Sequence, residues 1–401
     1  MAVVSLMTIP VQAGTLYTDV TMVHDGLTRT YNYFIPSNLP ASPVPLLFYL
    51  HGGGGNADLA LGLKGNKAPS KVYVDIAEQE KFIYVVPDGH VPDPSKPDEL
   101  HWNDLRTDAT NHNNSVDDVG YIEALITHFS SNYNIDSQRI YCTGISNGGF
   151  MSLTLAMNLS HKIAAVAPIC AVNARNSSAA SPVNPIPVML IAGTADELVP
   201  WNGGYGKYPE AGYFESIPDT VAFWVNHNGA DTVPEITEIP DGPYDDYGTM
   251  VMVYTYDNGV EGTEVLLYKV NGGGHAEPSI KEQHSTSWET IVGYQNHDIE
   301  TAEEVWKFFK KHALNGPTTS PPVGGIWAPV NKLQLLAPYI GLIILPAVAV
   351  ITVGYVKKRK RKTTNTHIRL NHISPFLWKY GCPTGKPRFA QGFPPETIWV
   401  Q

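Results

Sequence analysis

The stretch "GISNGG", residues 144–149, follows the run "RIYCT" at 139–143. A serine in an ordinary loop needs no glycine two residues before it and another two after. A serine forced into a sharp strand-to-helix turn needs both, because strand and helix backbones nearly touch there. Gly144-Ile145-Ser146-Asn147-Gly148 therefore marks Ser146 as a candidate nucleophile at the end of a strand. Glycine and serine are common, so the pattern carries weight only if the rest of the chain supplies the surroundings that such a serine requires.

Around it, apolar strand-like runs alternate with helix-like ones. Upstream, Leu16–Val23 and Leu27–Pro36 flank "HDG" and read as an opening hairpin. "PLLFYL" (45–50) is a fully apolar strand running into "HGGGG", and "FIYVVPD" (82–88) is another. Ser115–Asn132 reads as a helix, with Ser115 and Asp118 as a capping-box-like start and Ile122, Leu125, Ile126 and Phe129 on one face. "NGGFMSLTLAMNLS" (147–160) is the helix after Ser146. Downstream, "IAAVAPI", "PVMLIAG" and "TEVLLYKV" are strands, and 220–228 and 299–312 are helices. In the last, Ile299, Ala302, Val305, Trp306 and Phe309 share a face. Fully apolar strands alternating with helices predict a mainly parallel sheet covered on both faces. A hairpin ahead of that alternation is how an α/β-hydrolase sheet begins, and sites in such sheets lie at the carboxyl ends of the strands.

A serine hydroxyl is a poor nucleophile until a histidine takes its proton, and that histidine needs a carboxylate to fix its tautomer. In this fold the chain order is Ser, then Asp or Glu, then His. "PVMLIAGTADELVPW" places Asp196 just after an apolar strand, with Glu197 as the nearest rival; "TEVLLYKVNGGGHAEP" places His275 in a glycine loop after the next. Two backbone N–H donors should face the substrate oxyanion. Asn147, after the nucleophile, is one candidate; Gly53 in His51-Gly52-Gly53-Gly54-Gly55 is the other, with Gly54 second. A phosphate loop is disfavoured because no Lys-Ser/Thr follows the glycines. The aromatic-rich "WNGGYGKYPEAGYF" (201–214) reads either as a substrate rim or as an ordered surface loop, and Trp102 in "HWND" is a similar case. Trp201 and Trp102 are thus the candidate substrate-binding residues.

Hydrophobic residues make up 43% and charged residues 16% of the 401, which fits a folded protein with ample chain to bury a core. The net charge of −11 is uneven. Residues 331–401 hold 11 of the 27 Lys and Arg but one of the 38 Asp and Glu, leaving 16 basic against 37 acidic residues elsewhere. So acidic a surface argues against nucleic acid as a partner. Three cysteines make no disulfide framework. Cys142 and Cys170 fall on successive strands, close enough in principle to bridge, but buried free thiols are the preferred reading; Cys382 lies in the basic tail.

Both ends read as targeting segments. Residues 1–13 are apolar and end in the small-residue pattern Val11-Gln12-Ala13, like the back half of a secretion signal. A Pro/Gly linker at 316–330 follows a catalytic domain at 14–315. Within 331–356, the 22 residues Leu335–Val356 carry no charge and precede "KKRKRK", which predicts a transmembrane helix with a basic cytoplasmic tail at 357–401. The stretch "VGGIWAPVNKLQLLAPYIGL" (323–342) resembles a C-terminal anchor of secreted archaeal proteins.

"SVDDVGYIEALI", "RIYCTGISNGGFMSLTLA", "AAVAPI", "AGTADELVPW" and "NGGGHAEP" resemble, in order and spacing, the polyhydroxybutyrate depolymerase-like esterases, secreted α/β-hydrolases close to feruloyl and acetylxylan esterases. The resemblance spans about residues 15–313. It implies Ser146 as nucleophile, Asp196 as acid and His275 as base, and structural roles for Asp117 and Asp118. It breaks after the histidine, where members usually carry an aromatic-Pro-Gly ending and this chain reads Ala276-Glu277-Pro278-Ser279. The aromatic that often walls the acyl site is missing and a carboxylate stands nearby. The expectation is a secreted, membrane-tethered monomeric serine esterase acting on feruloyl or acetyl polysaccharide esters, hydroxyalkanoate oligomers or other polyesters, with no metal or organic cofactor. An acyltransferase or peptidase on the same fold, and a non-catalytic binding domain, are the alternatives.

Overall fold

The computed structural model describes residues 14–110, 115–244 and 247–314. The expected signal remnant, linker, membrane helix and basic tail lie outside them, as does Cys382. Among the described residues no helix is long and apolar enough to cross a membrane.

The elements in chain order are β1 (Thr15–His24), β2 (Leu27–Ile35), β3 (Val44–Leu50), α1 (Ala57–Ala60), α2 (Val72–Glu80), β4 (Ile83–Pro87), α3 (Asp118–Asn132), β5 (Ile135–Ile145), α4 (Asn147–Leu159), β6 (Ala165–Ile169) and β7 (Val188–Gly193). Then come the two-residue strands β8 (Gly204–Tyr205) and β9 (Tyr213–Phe214), α5 (Ile217–Asn228), β10 (Glu235–Glu238), β11 (Met250–Tyr256), β12 (Val265–Asn271), α6 (Thr286–Val292) and α7 (Thr301–Phe309). Ten strands form one sheet, in the order β1-β2-β4-β3-β5-β6-β7-β12-β11-β10. The central six, β4 to β12, are parallel. The opening hairpin closes one edge antiparallel, and β11 and β10 close the other.

Burial explains this arrangement. The runs at β3, β4, β6 and β7 are buried at every position, so each must be covered on both faces. On one face, Ile122, Leu125 and Phe129 of α3, Leu153 of α4 and Trp224 of α5 pack over Phe48, Val85 and Leu190. On the other, Tyr73 and Ile76 of α2 and Val305, Trp306 and Phe309 of α7 pack over Leu47, Tyr84 and Ile191. Each such side chain contributes about 1.5–3 kcal/mol through burial, so the two layers fix which helix covers which face.

Helix boundaries differ from the sequence reading: α5 begins at Ile217 rather than 220, α7 is the shorter Thr301–Phe309 rather than 299–312, and the start of α3 moves. α3 begins at Asp118, and its N-cap is Asp117, whose carboxylate accepts the N–H of Gly120 at 2.8 Å. The expected start at Ser115 fails because Asp118 is committed inward. It pairs with the Arg29 guanidinium at 2.6 Å and accepts the N–H of Asn103 at 2.7 Å.

Candidate active site

Parallel strands in register present their carboxyl ends together. Gly144 on β5 lies beside Leu50 on β3 and Pro168 on β6, and Gly193 on β7 lies beside Val270 on β12. The loops leaving β3, β5, β7 and β12 carry Gly53, Ser146, Asp196 and His275.

Ser146 is held at φ 54°, ψ −124°, between the last residue of β5 and the first of α4. A non-glycine residue with such a φ costs on the order of 1–3 kcal/mol, which the surrounding backbone must supply. The Ser146 N–H donates to Ile169 O at 2.9 Å, and its own carbonyl accepts from Phe150 N at 2.9 Å to start the helix. The tightness predicted from sequence is visible at Gly148, where a Cβ would stand 2.0 Å from Leu50 O. Strand β3 leaves no room for one.

Asp196 and His275 meet across their loops. His275 Nδ1 lies 2.7 Å from Asp196 Oδ2, and both side chains are buried. The other carboxylate oxygen accepts the N–H groups of Leu198 and Val199, each at 2.8 Å. A carboxylate so held keeps its orientation, and a neutral imidazole beside it carries its proton on Nδ1 and leaves Nε2 as the base. The two loops are clamped by Ala195 N–H on Gly273 O at 2.9 Å. Gly193 must be glycine for this, since a Cβ there would stand 2.2 Å from Gly273 O. The rival Glu197 is 78% exposed on its side chain and stands 4.0 Å from Lys207 Nζ.

Gly53 lies against the turn: a Cβ on it would be 3.5 Å from the Cβ of Asn147 and 3.1 Å from the ring of His101. Gly54 is the poorer donor candidate, because its N–H is spent on Leu100 O at 2.9 Å. Asn147 is the first residue of α4, where backbone N–H groups have no partner within the helix and the helix dipole favours negative charge. His51 fixes the glycine turn from beneath. Its Nε2 accepts the N–H of Gly89 at 2.9 Å, so Nδ1 carries the proton and donates to Gly52 O at 2.8 Å. Burial holds this imidazole down to about 4, so it stays neutral.

Sequence reasoning missed the support of Asn147. Its Oδ1 accepts the N–H of Trp102 at 2.7 Å, and its Nδ2 donates to Asp104 Oδ2 at 2.8 Å. Asp104, fully buried, also grips Arg106 through both carboxylate oxygens at 2.8–3.0 Å. The guanidinium lies over Phe150, 4.2 Å from the ring centre. The string "HWNDLR" gives no periodic signal for this, and in the sequence it lies about 40 residues before the elbow.

Trp102 does not sit on a rim. It is 0% exposed, and its Nε1 donates to His51 O at 3.0 Å, bracing the glycine turn from inside. Trp201 is partly exposed and lines a groove between α5 and the strands β11 and β12. Glu277, expected near the acyl site, instead points into the core. It is buried, accepts the Tyr49 hydroxyl at 2.9 Å, and is pushed up to about 8, chiefly by burial. Cys142 and Cys170 are both free and buried. Among the described residues, Cys170, Asp196 and His275 bring three possible metal-binding atoms within 4.8 Å of one another. Burial, with the nearby Asp196 carboxylate, pushes the Cys170 thiol well up, so it remains a protonated, unreactive neighbour of the pair.

Residues 37–210 match the model of the phospholipase/carboxylesterase family. A Nocardia uniformis subsp. tsuyamanensis protein named as an esterase, NocK, is 28% identical over 71% of this chain and 79% of its own. The bifunctional acetylxylan esterase/xylanase XynS20E of Neocallimastix patriciarum is 24% identical over 75% of this chain, which spans only 36% of that longer protein. Feruloyl esterase B of Thermothelomyces thermophilus is 25% identical over 68% of this chain and 92% of its own. The sheet order is that of the α/β-hydrolase fold, and the chain is similar over residues 37–210 to the phospholipase/carboxylesterase family and over about 70% of its length to proteins named as esterases.

Proposed function

We propose that the protein is a serine carboxylic-ester hydrolase working through an acyl-enzyme on Ser146. One observation carries this: a buried His275–Asp196 hydrogen bond at the same sheet end that presents Ser146 in a strained strand-to-helix turn. The Ser146 hydroxyl attacks the ester carbonyl carbon while its proton passes to His275 Nε2. Asp196 stabilises the imidazolium through Nδ1–H. The carbonyl oxygen, now an anion, is held by the N–H groups of Gly53 and Asn147. Collapse breaks the bond to the alcohol oxygen, which leaves with the proton from His275. A water then gives its proton to His275 and attacks the acyl carbon, and Ser146 Oγ leaves with that proton as the acid is released.

The relatives' names and the sequence resemblance support a choice of substrates: feruloyl or acetyl esters of polysaccharide first, hydroxyalkanoate oligomers and other polyesters next. Secretion and a membrane tether belong to the same reading. The charge-free run Leu335–Val356 ending in six consecutive Lys and Arg supports the tether, and a polymer that cannot enter a cell gives it a purpose. A chain ending near Pro317 should then need no detergent and keep full activity. The catalytic test is covalent labelling by a fluorophosphonate, located by peptide mass, together with turnover of methyl ferulate, p-nitrophenyl acetate and a hydroxybutyrate oligomer. A label on any residue but Ser146, or normal turnover by a folded Ser146→Ala protein, would overturn the reading.

A further inference from the structure

Between α5 and the strands β11 and β12 runs a groove of about 420 Å³. Its walls are Val221 and Val225 of α5, Leu267 of β12, and the rings of Trp201, Tyr254 and Tyr256. The register explains the wall. Leu267 and Lys269 stand two apart on β12 and so share a face, and Tyr254 and Tyr256 are cross-strand partners of Leu267 and Val265 on that same face. Ser146, Asp196, His275 and Gly53 do not line the groove. It is separate from the acyl site, although Trp201 follows Asp196 by five residues and Lys269 precedes His275 by six on one continuous segment.

Lys269 is the charge in this groove. It is partly buried, and it has no carboxylate partner among the described residues; its contact is with the ring of Trp201, 5.4 Å from Nζ to the ring centre. A cation half withdrawn from water without an anion beside it gains from one that arrives. One lysine accommodates one carboxylate. The excess of 37 acidic over 16 basic residues outside 331–401 disfavours a polyanion. Three aromatic rings around an apolar floor favour a planar ring, which stacks on them in offset or edge-on geometry. The volume falls within the range of small-molecule sites and exceeds what a single-ring acid needs.

We propose that this groove is a second binding site, selective for small aromatic monocarboxylates, with Lys269 holding the carboxylate and Trp201 and Tyr254 the ring. The source of the ligand rests on the catalytic reading, since hydrolysis of an aromatic ester releases such an acid. The site itself does not.

The experiment uses the full chain with Ser146 capped by a fluorophosphonate, so that the reaction centre is closed. Titration calorimetry with ferulate should show one acid bound per chain. Lys269→Gln should weaken binding about ten-fold or more, as expected for a lost charge-assisted hydrogen bond, while Lys269→Arg keeps it within a few-fold. Thermal melting of both variants checks that they are folded. Ferulamide, which lacks the charge, and cyclohexanecarboxylate, which lacks the ring, should both bind more weakly than ferulate. Loss of ferulate binding on capping would place the acid at the serine and overturn the proposal. So would equal affinity in Lys269→Gln, equal affinity for ferulamide or cyclohexanecarboxylate, or no binding by the capped chain. A label that fails to attach would count against the serine reading alone, and the Lys269 comparison on unlabelled protein would still decide the groove.

Discussion

Asp104 offers the sharpest test of how the turn is built, because two effects of different size pass through it. Its carboxylate is fully buried, pairs with both Nε and Nη2 of Arg106, and accepts from Asn147 Nδ2. Asp104→Ala leaves the Arg106 guanidinium, only 4% exposed, without its anion. Removing one partner of a buried pair costs about 3–5 kcal/mol, a large share of the roughly 5–15 kcal/mol that holds a domain together. The guanidinium keeps its bond to Ala211 O and its place over Phe150, which sets the cost toward the lower end. The midpoint of urea unfolding, at unchanged slope, reads this term. The second effect is on turnover. Asn147 loses an anchor for its side chain, and its backbone N–H shifts from the oxyanion. Loss of one such donor costs about 10²–10³ in kcat. The double variant Asp104→Leu with Arg106→Met removes both charges. It should recover much of the stability but not the turnover, because Asn147 Nδ2 still lacks the Asp104 carboxylate and keeps only the longer bond to Trp102 O at 3.1 Å. Equal stability of Asp104→Ala and the parent would refute the argument from buried charge. Recovery of turnover in the double variant would refute the role given to Asn147.

Other outcomes follow from the same geometry. Ser146→Gly should abolish ester turnover yet raise stability by roughly 1 kcal/mol, because glycine accepts φ 54° without strain; chemical denaturation checks it. Asp196→Asn should lower kcat by about 10⁴ while Glu197→Gln stays within a few-fold, and the reverse order in steady-state kinetics would assign the wrong acid. Glu277 has its folded value raised from 4.5 to about 8, so its protonated form is the one the fold prefers. Its contribution is fully present below about 4.5 and is lost as pH rises through about 8. At about 1.36 kcal/mol per unit the span is roughly 4–5 kcal/mol. Glu277→Gln should flatten that part of the stability–pH curve, gaining on the parent above pH 8 and not near pH 5.

Most of the sheet was legible because it is written in backbone periodicity. Runs such as "PLLFYL" and "PVMLIAG" have no polar residue that would tolerate an exposed face, so their place in the centre follows from burial alone. The edge strands β10 and β11 were not foreseen for the complementary reason. "EITE" is exposed at all four positions, and "MVMVYTY" buries two of its seven, so the folded neighbours decide these strands more than their own pattern does. Trp102 went astray in the same way. An aromatic in a polar loop reads as a rim residue, and nothing in "HWND" says that its indole will cap His51 O from inside.

The division at the site is similar, and it has a physical cause. Ser146, Asp196 and His275 could be picked out because each position constrains its neighbours in sequence: glycines where backbones touch, an apolar strand before each loop. Their support consists of pairings between segments far apart in the chain. Asn147 reaches Asp104 across 43 residues, Tyr49 reaches Glu277 across 228, and Asp118 reaches back to Arg29. In each, a polar group sits where an apolar one would be expected, and its cost is offset only by a partner that the fold alone supplies. Glu277 makes the point most directly. Two residues past His275 it reads from sequence as an acid near the reaction, yet its Oε1 has no hydrogen-bond partner among the described residues. The carboxyl is tolerated there because it keeps its proton. That state depends on pH, which is why the stability–pH curve, rather than turnover, is the measurement that detects it.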